Sequence, residues 1–156
     1  MSSESRIVSA ERLVHADAAR VFELIAEPAQ QPRWDGNDNL AEAPPGQRVR
    51  VVGTAFLMHN TSGVDRENHV VEFEEGRRIA WMPAAPGEEP FGQLWRWELE
   101  PGPESGVTLV RHTYDWTQLE DPARQERARA TTAERLLASI DRLAALAESE
   151  GGSAAS

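Results

Sequence analysis

Between Asp121-Pro122 and about Ser149 nothing in the chain breaks a helix. Asp121 suits the N-cap and Pro122 the first helical position. Ala133, Leu136, Leu137, Ile140, Leu143, Ala144 and Ala147 recur at spacings of three and four, so one face of that helix is apolar. At roughly 1.5 Å per residue the helix is about 40 Å long. The Gly151-Gly152 pair predicts its end. Residues 1–150 then form one domain and 151–156 a disordered tail.

Most of what precedes it reads as strands. Ile7 to Val14 predicts the first. Asp17 caps a helix over Ala18 to Ala26, which Pro28 stops, and a helical turn at Ala29 to Gln31 is cut by Pro32. A Pro-rich loop holds a short strand at Asn39 to Ala43. Further strands follow at Val49 to Asn60, with Gly53 as a bulge, and at Asp65 to Phe73, Arg78 to Met82, Gln93 to Leu99 and Val107 to Trp116. Such a meander must bury one face, and only the C-terminal helix is long enough to cover it. The expected architecture is α+β: a curved antiparallel sheet of six to seven strands, two short helices and one long C-terminal helix. A straight helix across a bent sheet leaves a gap, which the short helices plug at one end. The remainder is an apolar pocket.

Several stretches add a resemblance. Val21-Phe22, Pro32-Arg33-Trp34, Val52-Gly53-Thr54-Ala55-Phe56, Gly76-Arg77-Arg78-Ile79-Ala80-Trp81, Trp95-Arg96-Trp97-Glu98-Leu99-Glu100-Pro101 and Val110-Arg111-His112-Thr113-Tyr114-Asp115 are spread over Ile7 to Glu148. Together they resemble the polyketide cyclase/dehydrase-like branch of the SRPBCC (START/Bet v 1-like) superfamily. The resemblance implies the helix-grip fold. It also implies a choice of activities, since similar proteins include ligand carriers, polyketide aromatase/cyclases and coenzyme-Q-binding proteins.

Composition removes several chemistries. There is no cysteine, and all 16 basic side chains are arginine. Thiolate and Schiff-base nucleophiles are therefore absent, as are disulfides and Cys-ligated metals. The net charge of −10 disfavours nucleic acid and anionic membrane as partners. No apolar run approaches a membrane span, and Met1 to Ser5 lacks the features of a signal peptide, so the expected compartment is the cytoplasm. His15, His59, His69 and His112 fall on separate elements with no metal-ligand spacing, and no phosphate-binding glycine motif or serine-hydrolase elbow occurs. No cofactor is implied. Arg124, Arg127 and Arg129 read as surface charge on the long helix. The expected state is a monomer or homodimer.

Strand parity selects the pocket wall. Phe56, Met58 and Asn60 share a face, as do Trp95 and Trp97, and Val110, His112 and Tyr114; Trp81 and Trp34 join them, with Thr132 and Leu136 from the long helix. Four of the five tryptophans thus surround one space, which suits a small apolar or aromatic ligand. For Asp65 to Phe73 the inward face is undecided, because Val70 and Val71 are both apolar. His112 and Tyr114 lie two apart on a strand, with Cα atoms about 6.5–7 Å apart. A histidine beside a phenol is the chemistry of proton transfer to and from a carbonyl or hydroxyl. Two functions follow: binding of a small hydrophobic, aromatic or polyketide-like ligand, or a cofactor-free polyketide cyclase/dehydratase with His112 and Tyr114 as catalytic residues.

Overall fold

Alternation along the strands builds a single antiparallel sheet in the order β1-β7-β6-β5-β4-β3-β2. The computed structural model describes residues 5–155, with side chains from 5 to 149. The strands are β1 (Ile7–Val14), β2 (Leu40–Glu42), β3 (Ala55–Asn60), β4 (Asp65–Glu74), β5 (Arg78–Ala84), β6 (Leu94–Pro101) and β7 (Thr108–Asp115). Between β1 and β2 lie α1 (Ala18–Ala26), a 3-10 turn (Pro28–Gln30) and α2 (Gln31–Trp34). After β7 come α3 (Pro122–Arg129) and α4 (Ala133–Ala155). This is the helix-grip arrangement.

On β6, Trp95, Trp97 and Leu99 face the helices, while Arg96, Glu98 and Glu100 face away. The outer face carries ion pairs instead of a core: Arg96 forks onto Glu72 at 2.9 and 2.6 Å, and Arg78 lies 3.6 Å from Glu98. On β4 the pairing with β5 shifts between Val70 and Glu72, a bulge at Val71. The extra residue lets both Val70 and Phe73 turn inward, leaves Val71 38% exposed, and places Arg66 and Asn68 on the helix side. This settles the face that period-two counting leaves open.

The helix α4 buries Leu136, Ile140, Leu143, Ala144 and Ala147 against the sheet and α1. Its outer turns are tied down by Arg12 to Asp141 at 2.7 Å and by the His15 N–H donating to the Glu148 carboxylate at 2.9 Å. The end of α2 reaches α4 at Gly36. A Cβ there would lie 2.6 Å from the Ala138 carbonyl carbon, so only glycine permits the approach. The Gly36 N–H then donates to Ser139 Oγ at 3.0 Å, and Arg142 donates to the Asp35 carbonyl at 2.6 Å.

Five expectations are corrected. The predicted continuous helix is two helices, broken at 130–132. Ala130 and Thr131 bond back only three residues, and Thr132 Oγ1 then accepts the Arg135 N–H at 3.3 Å, starting α4 afresh. A threonine side chain that competes with the helical ladder outweighs an unbroken apolar pattern. Second, β3 begins at Ala55, not Val49: Val49 docks through its N–H on the Ala26 carbonyl, and Gly53, at φ 95°, turns the chain into register with β4. Third, β5 runs through Pro83, whose carbonyl still accepts from the Phe91 N–H at 3.1 Å. Fourth, the Asp17 side chain makes no cap bond; its carbonyl accepts the Val21 N–H instead. Last, α4 passes through Gly151 and Gly152 to Ala155. Glycine disfavours a helix by about 1 kcal/mol per residue but does not forbid one. Ser156 lies outside the described residues.

Candidate functional site

Between the sheet and the helices, one end is filled by a buried apolar cluster and the other holds a cavity of about 340 Å³. That is the low end of the range for small-molecule sites, about 300–1,000 Å³. Its wall comes from β3 to β7, α2, α3 and the first turns of α4. Exposed residues at Thr61, Ser62, Arg127 and Arg135 mark its mouth.

The floor is aromatic because of strand register. Trp81 pairs with Trp95, Trp95 with Tyr114, and Trp97 with His112 across neighbouring strands. The rings stack accordingly: Trp97 on His112 at 3.8 Å between centroids, Trp95 on His112 at 5.6 Å, and Trp95 against Tyr114 at 4.2 Å. Trp34 meets Trp97 edge-on at 5.0 Å and fixes its own indole N–H on the Leu24 carbonyl at 2.8 Å. Trp97 Nε1, Asn60 Oδ1 and Gln93 Oε1 are buried with no hydrogen-bond partner among the described residues. The wall thus contains unmet hydrogen-bonding capacity.

His112 is 5% exposed. Its Nδ1 lies 3.0 Å from the Arg96 carbonyl. A carbonyl only accepts, so Nδ1 carries the proton and Nε2 is the acceptor. Burial pushes the imidazole down to about 3, against the opposing effect of that backbone bond. Burial likewise pushes the Tyr114 phenol up to about 12, with the Arg127 guanidinium pulling the other way. At neutral pH the pair is a neutral acceptor and a neutral hydroxyl.

Nine of the expected wall residues line the cavity: Trp34, Met58, Asn60, Trp81, Trp95, Trp97, His112, Tyr114 and Leu136. Three do not. Phe56 stands behind the wall, edge-on to Trp81 at 5.3 Å. Val110 is fully buried in the closed core. Thr132 caps α4 and is exposed. Parity assigns a face, but distance along the strand decides whether that face meets cavity or core. His59 turns away from the cavity and pairs with Asp65 at 2.6 Å. Among the described residues no three His, Asp or Glu side chains converge as a metal site would require.

The polar rim is what sequence reasoning missed. Arg66 and Asn68 line the cavity from β4, Gln93 from the residue before β6, and Arg124, Arg127 and Arg135 from the helices. Arg124 and Arg127 are therefore cavity residues and not merely surface charge. A signal was present: Arg124, Arg127, Ala128 and Thr131 recur at spacings of three and four, which puts them on one helical face. Phe91 also joins the wall, with the Arg124 guanidinium 3.6 Å and that of Arg66 5.1 Å from its ring centre.

The comparisons with known proteins agree with this geometry. No curated protein matches the sequence. Among solved structures, protein MLL2253 of Mesorhizobium loti superposes with a TM-score of 0.66 at 17% identity, covering 90% of this chain and 96% of that one. DynU16, a protein of the dynemicin biosynthetic locus, gives 0.65 at 17% identity over 95% of this chain and 49% of its own length. The Aha1 dimer of Colwellia psychrerythraea gives 0.58 at 18% identity over 88% and 96%. At these identities the likeness concerns the fold. Residues 5–148 match the family described as polyketide cyclase / dehydrase and lipid transport, and with nearly the whole chain inside that match, the protein belongs to it.

Proposed function

We propose that the protein binds a small apolar, aromatic molecule in the cavity between sheet and helices. The observation that carries this is the aromatic floor of Trp81, Trp95, Trp97 and Tyr114, with His112 stacked against both Trp95 and Trp97, beneath an opening of about 340 Å³. Flat aromatic walls offer a flat ligand large contact area in a preferred offset or edge-on geometry. His112 Nε2 and the Tyr114 hydroxyl supply one acceptor and one donor to orient it.

Proton transfer has less support. A catalytic acid or base works best with a pKa near the operating pH. His112 at about 3 is a weak base, and Tyr114 at about 12 a weak acid. Both environments favour the neutral form that hydrogen-bonds and releases nothing. The cyclase/dehydratase alternative, which the family admits, requires this pair to move protons from these shifted values. The binding reading requires no membrane span, and no helix among the described residues is long and apolar enough to cross one.

The test is a titration with N-phenyl-1-naphthylamine, an uncharged aromatic probe. Tryptophan emission should be quenched and saturate at about one site per chain, since four tryptophans border the cavity. A folded protein that shows no saturable quenching overturns the proposal. Turnover of a poly-β-ketone mimic, lost in His112→Ala, would establish the enzyme instead.

A further inference from the structure

We propose that the ligand of this cavity is an anion: an aromatic body on the tryptophan floor with a carboxylate or phosphate group held at the mouth by Arg66 and Arg127, flanked by Arg124 and Arg135. This rests on the binding function above and narrows it to a substrate class.

The argument starts from charge. The chain carries 26 acidic residues and a net charge of −10, yet four arginines line one cavity whose only carboxylate among the described residues is Asp35. The Asp35 oxygens are already used, accepting the backbone N–H groups of Asn37, Asn39 and Leu40 at 3.1, 2.6 and 2.9 Å. Among the described residues, Arg66, Arg127 and Arg135 make no ion pair, and Arg124 makes one, at 3.4 Å from Asp121. Elsewhere the same protein pairs its arginines closely, as at Arg48 with Glu23 and Glu75 and at Arg96 with Glu72. The cavity is thus a local excess of positive charge inside an acidic molecule. Like charges gathered there repel unless an anion joins them; burial first, then Arg124 and Arg127, hold Arg66 below the usual arginine value.

Geometry adds direction. Arg66 and Arg124 both lie over Phe91. A guanidinium on an aromatic face uses its flat surface and presents its in-plane N–H groups to carboxylate and phosphate oxygens. Arg66 spends one on the Asp65 carbonyl at 3.1 Å and Arg124 turns its Nε toward Asp121 at 3.4 Å, so each keeps further N–H donors for a ligand. Arg127 is exposed and lines the same cavity as Trp95 and Tyr114, so it sits at the mouth. An amphiphile entering ring-first leaves its charged end among these donors.

The experiment compares two dyes that share the anilinonaphthalene framework. One is 8-anilinonaphthalene-1-sulfonate, an anion; the other is N-phenyl-1-naphthylamine, which is neutral. At low ionic strength the native protein should bind the sulfonate about tenfold more tightly, and Arg127→Gln or Arg66→Gln should each cost it about tenfold, well beyond any loss for the neutral dye. Added salt should narrow the gap, because the mouth is open to solvent. Arg111→Gln, on the opposite face of the sheet, is the control and should alter neither. Arg127 is exposed and unpaired, so its variant stays informative even if Arg66→Gln folds poorly. Competition by 1-naphthylacetate and 1-naphthyl phosphate separates the two head groups. Displacement by either, beyond that by neutral 1-naphthylmethanol, supports the assignment. Equal affinity for both dyes overturns it, as does a sulfonate preference that survives the Arg66→Gln/Arg127→Gln pair. If neither dye binds, the cavity function itself fails, which is a distinguishable result.

Discussion

The two ends of the space under α4 are built by the same strands and do opposite things. Following β7 from Val110 through His112 to Tyr114, or β6 from Leu99 through Trp97 to Trp95, the inward side chains pass from aliphatic to aromatic. On β5 the sequence is Ile79, Trp81, Pro83; on β4 it is Phe73 and Val70, then Asn68 and Arg66. At the closed end Val14, Phe22, Leu24, Ile25, Leu99, Val110, Ile140 and Leu143 pack into one buried cluster, with α1 as an additional cover. At the open end the cover is α3 and the start of α4, set apart by the break at 130–132. Flexible aliphatic chains interdigitate with a helix and leave no voids. Large rigid rings stacked on one another form a flat surface instead, and a helix laid over it does not follow the contour. The difference shows that a pocket here requires both a change of residue type along each strand and an interruption in the helix above it.

The largest expected effect separates the ends by acid. Because the folded pKa of His112, about 3, lies below its unfolded value of 6.5, the unfolded chain binds the extra proton between them. Stability from this group is therefore complete above about pH 6.5 and declines as pH falls toward 3, with an upper limit of about 5 kcal/mol at 1.36 kcal/mol per unit. Urea denaturation of native protein and His112→Gln at pH 7.5 and 4.5 isolates it: the native protein should lose about 3 kcal/mol more than the variant. Equal losses would mean that His112 is charged when folded.

A cavity-forming pair measures packing at the two ends next. Ile140→Ala, in the closed core, should cost roughly 2–5 kcal/mol, and Leu136→Ala, which already borders open space, should fall at or below the bottom of that range. Only Leu136→Ala should alter binding of the neutral dye. If the two cost the same, the open end is packed as tightly as the closed one. The smallest effect concerns Tyr114→Phe, which keeps the ring against Trp95 and removes a hydroxyl with no protein partner among the described residues. Stability should hardly move, while affinity for a ligand that reaches the hydroxyl should drop by about one hydrogen bond, roughly 0.5–1.5 kcal/mol. A large loss of stability instead would show that the hydroxyl serves the fold.

Much of the aromatic floor was legible because strand parity is a local rule. Trp95 and Trp97, or His112 and Tyr114, share a face whatever the rest of the chain does. The rim was hidden for reasons that are not local. Arg66 and Asn68 could not be assigned to a face because the bulge at Val71 resets the period within one strand. Arg124 and Arg127 looked like solvated charge because nothing in their helix says which surface it meets. Phe56 and Val110 have the right parity but the wrong position along the strand, a distinction that depends on where α4 ends its cover.

The sequence alone determined the antiparallel meander, its inward aromatic residues, the apolar face of the last helix, and the absence of thiol and lysine chemistry. These follow from period, residue type and inventory, each of which is written within a few neighbouring residues. The tertiary structure decided where packing stops and the cavity starts, which arginines face it, and that His112 is neutral. Those outcomes depend on groups far apart in the chain: β4 against α3 for the arginines, β6 against β7 and α2 for the histidine. Burial, Coulomb repulsion and void space are properties of the assembled volume, and no window of sequence contains them.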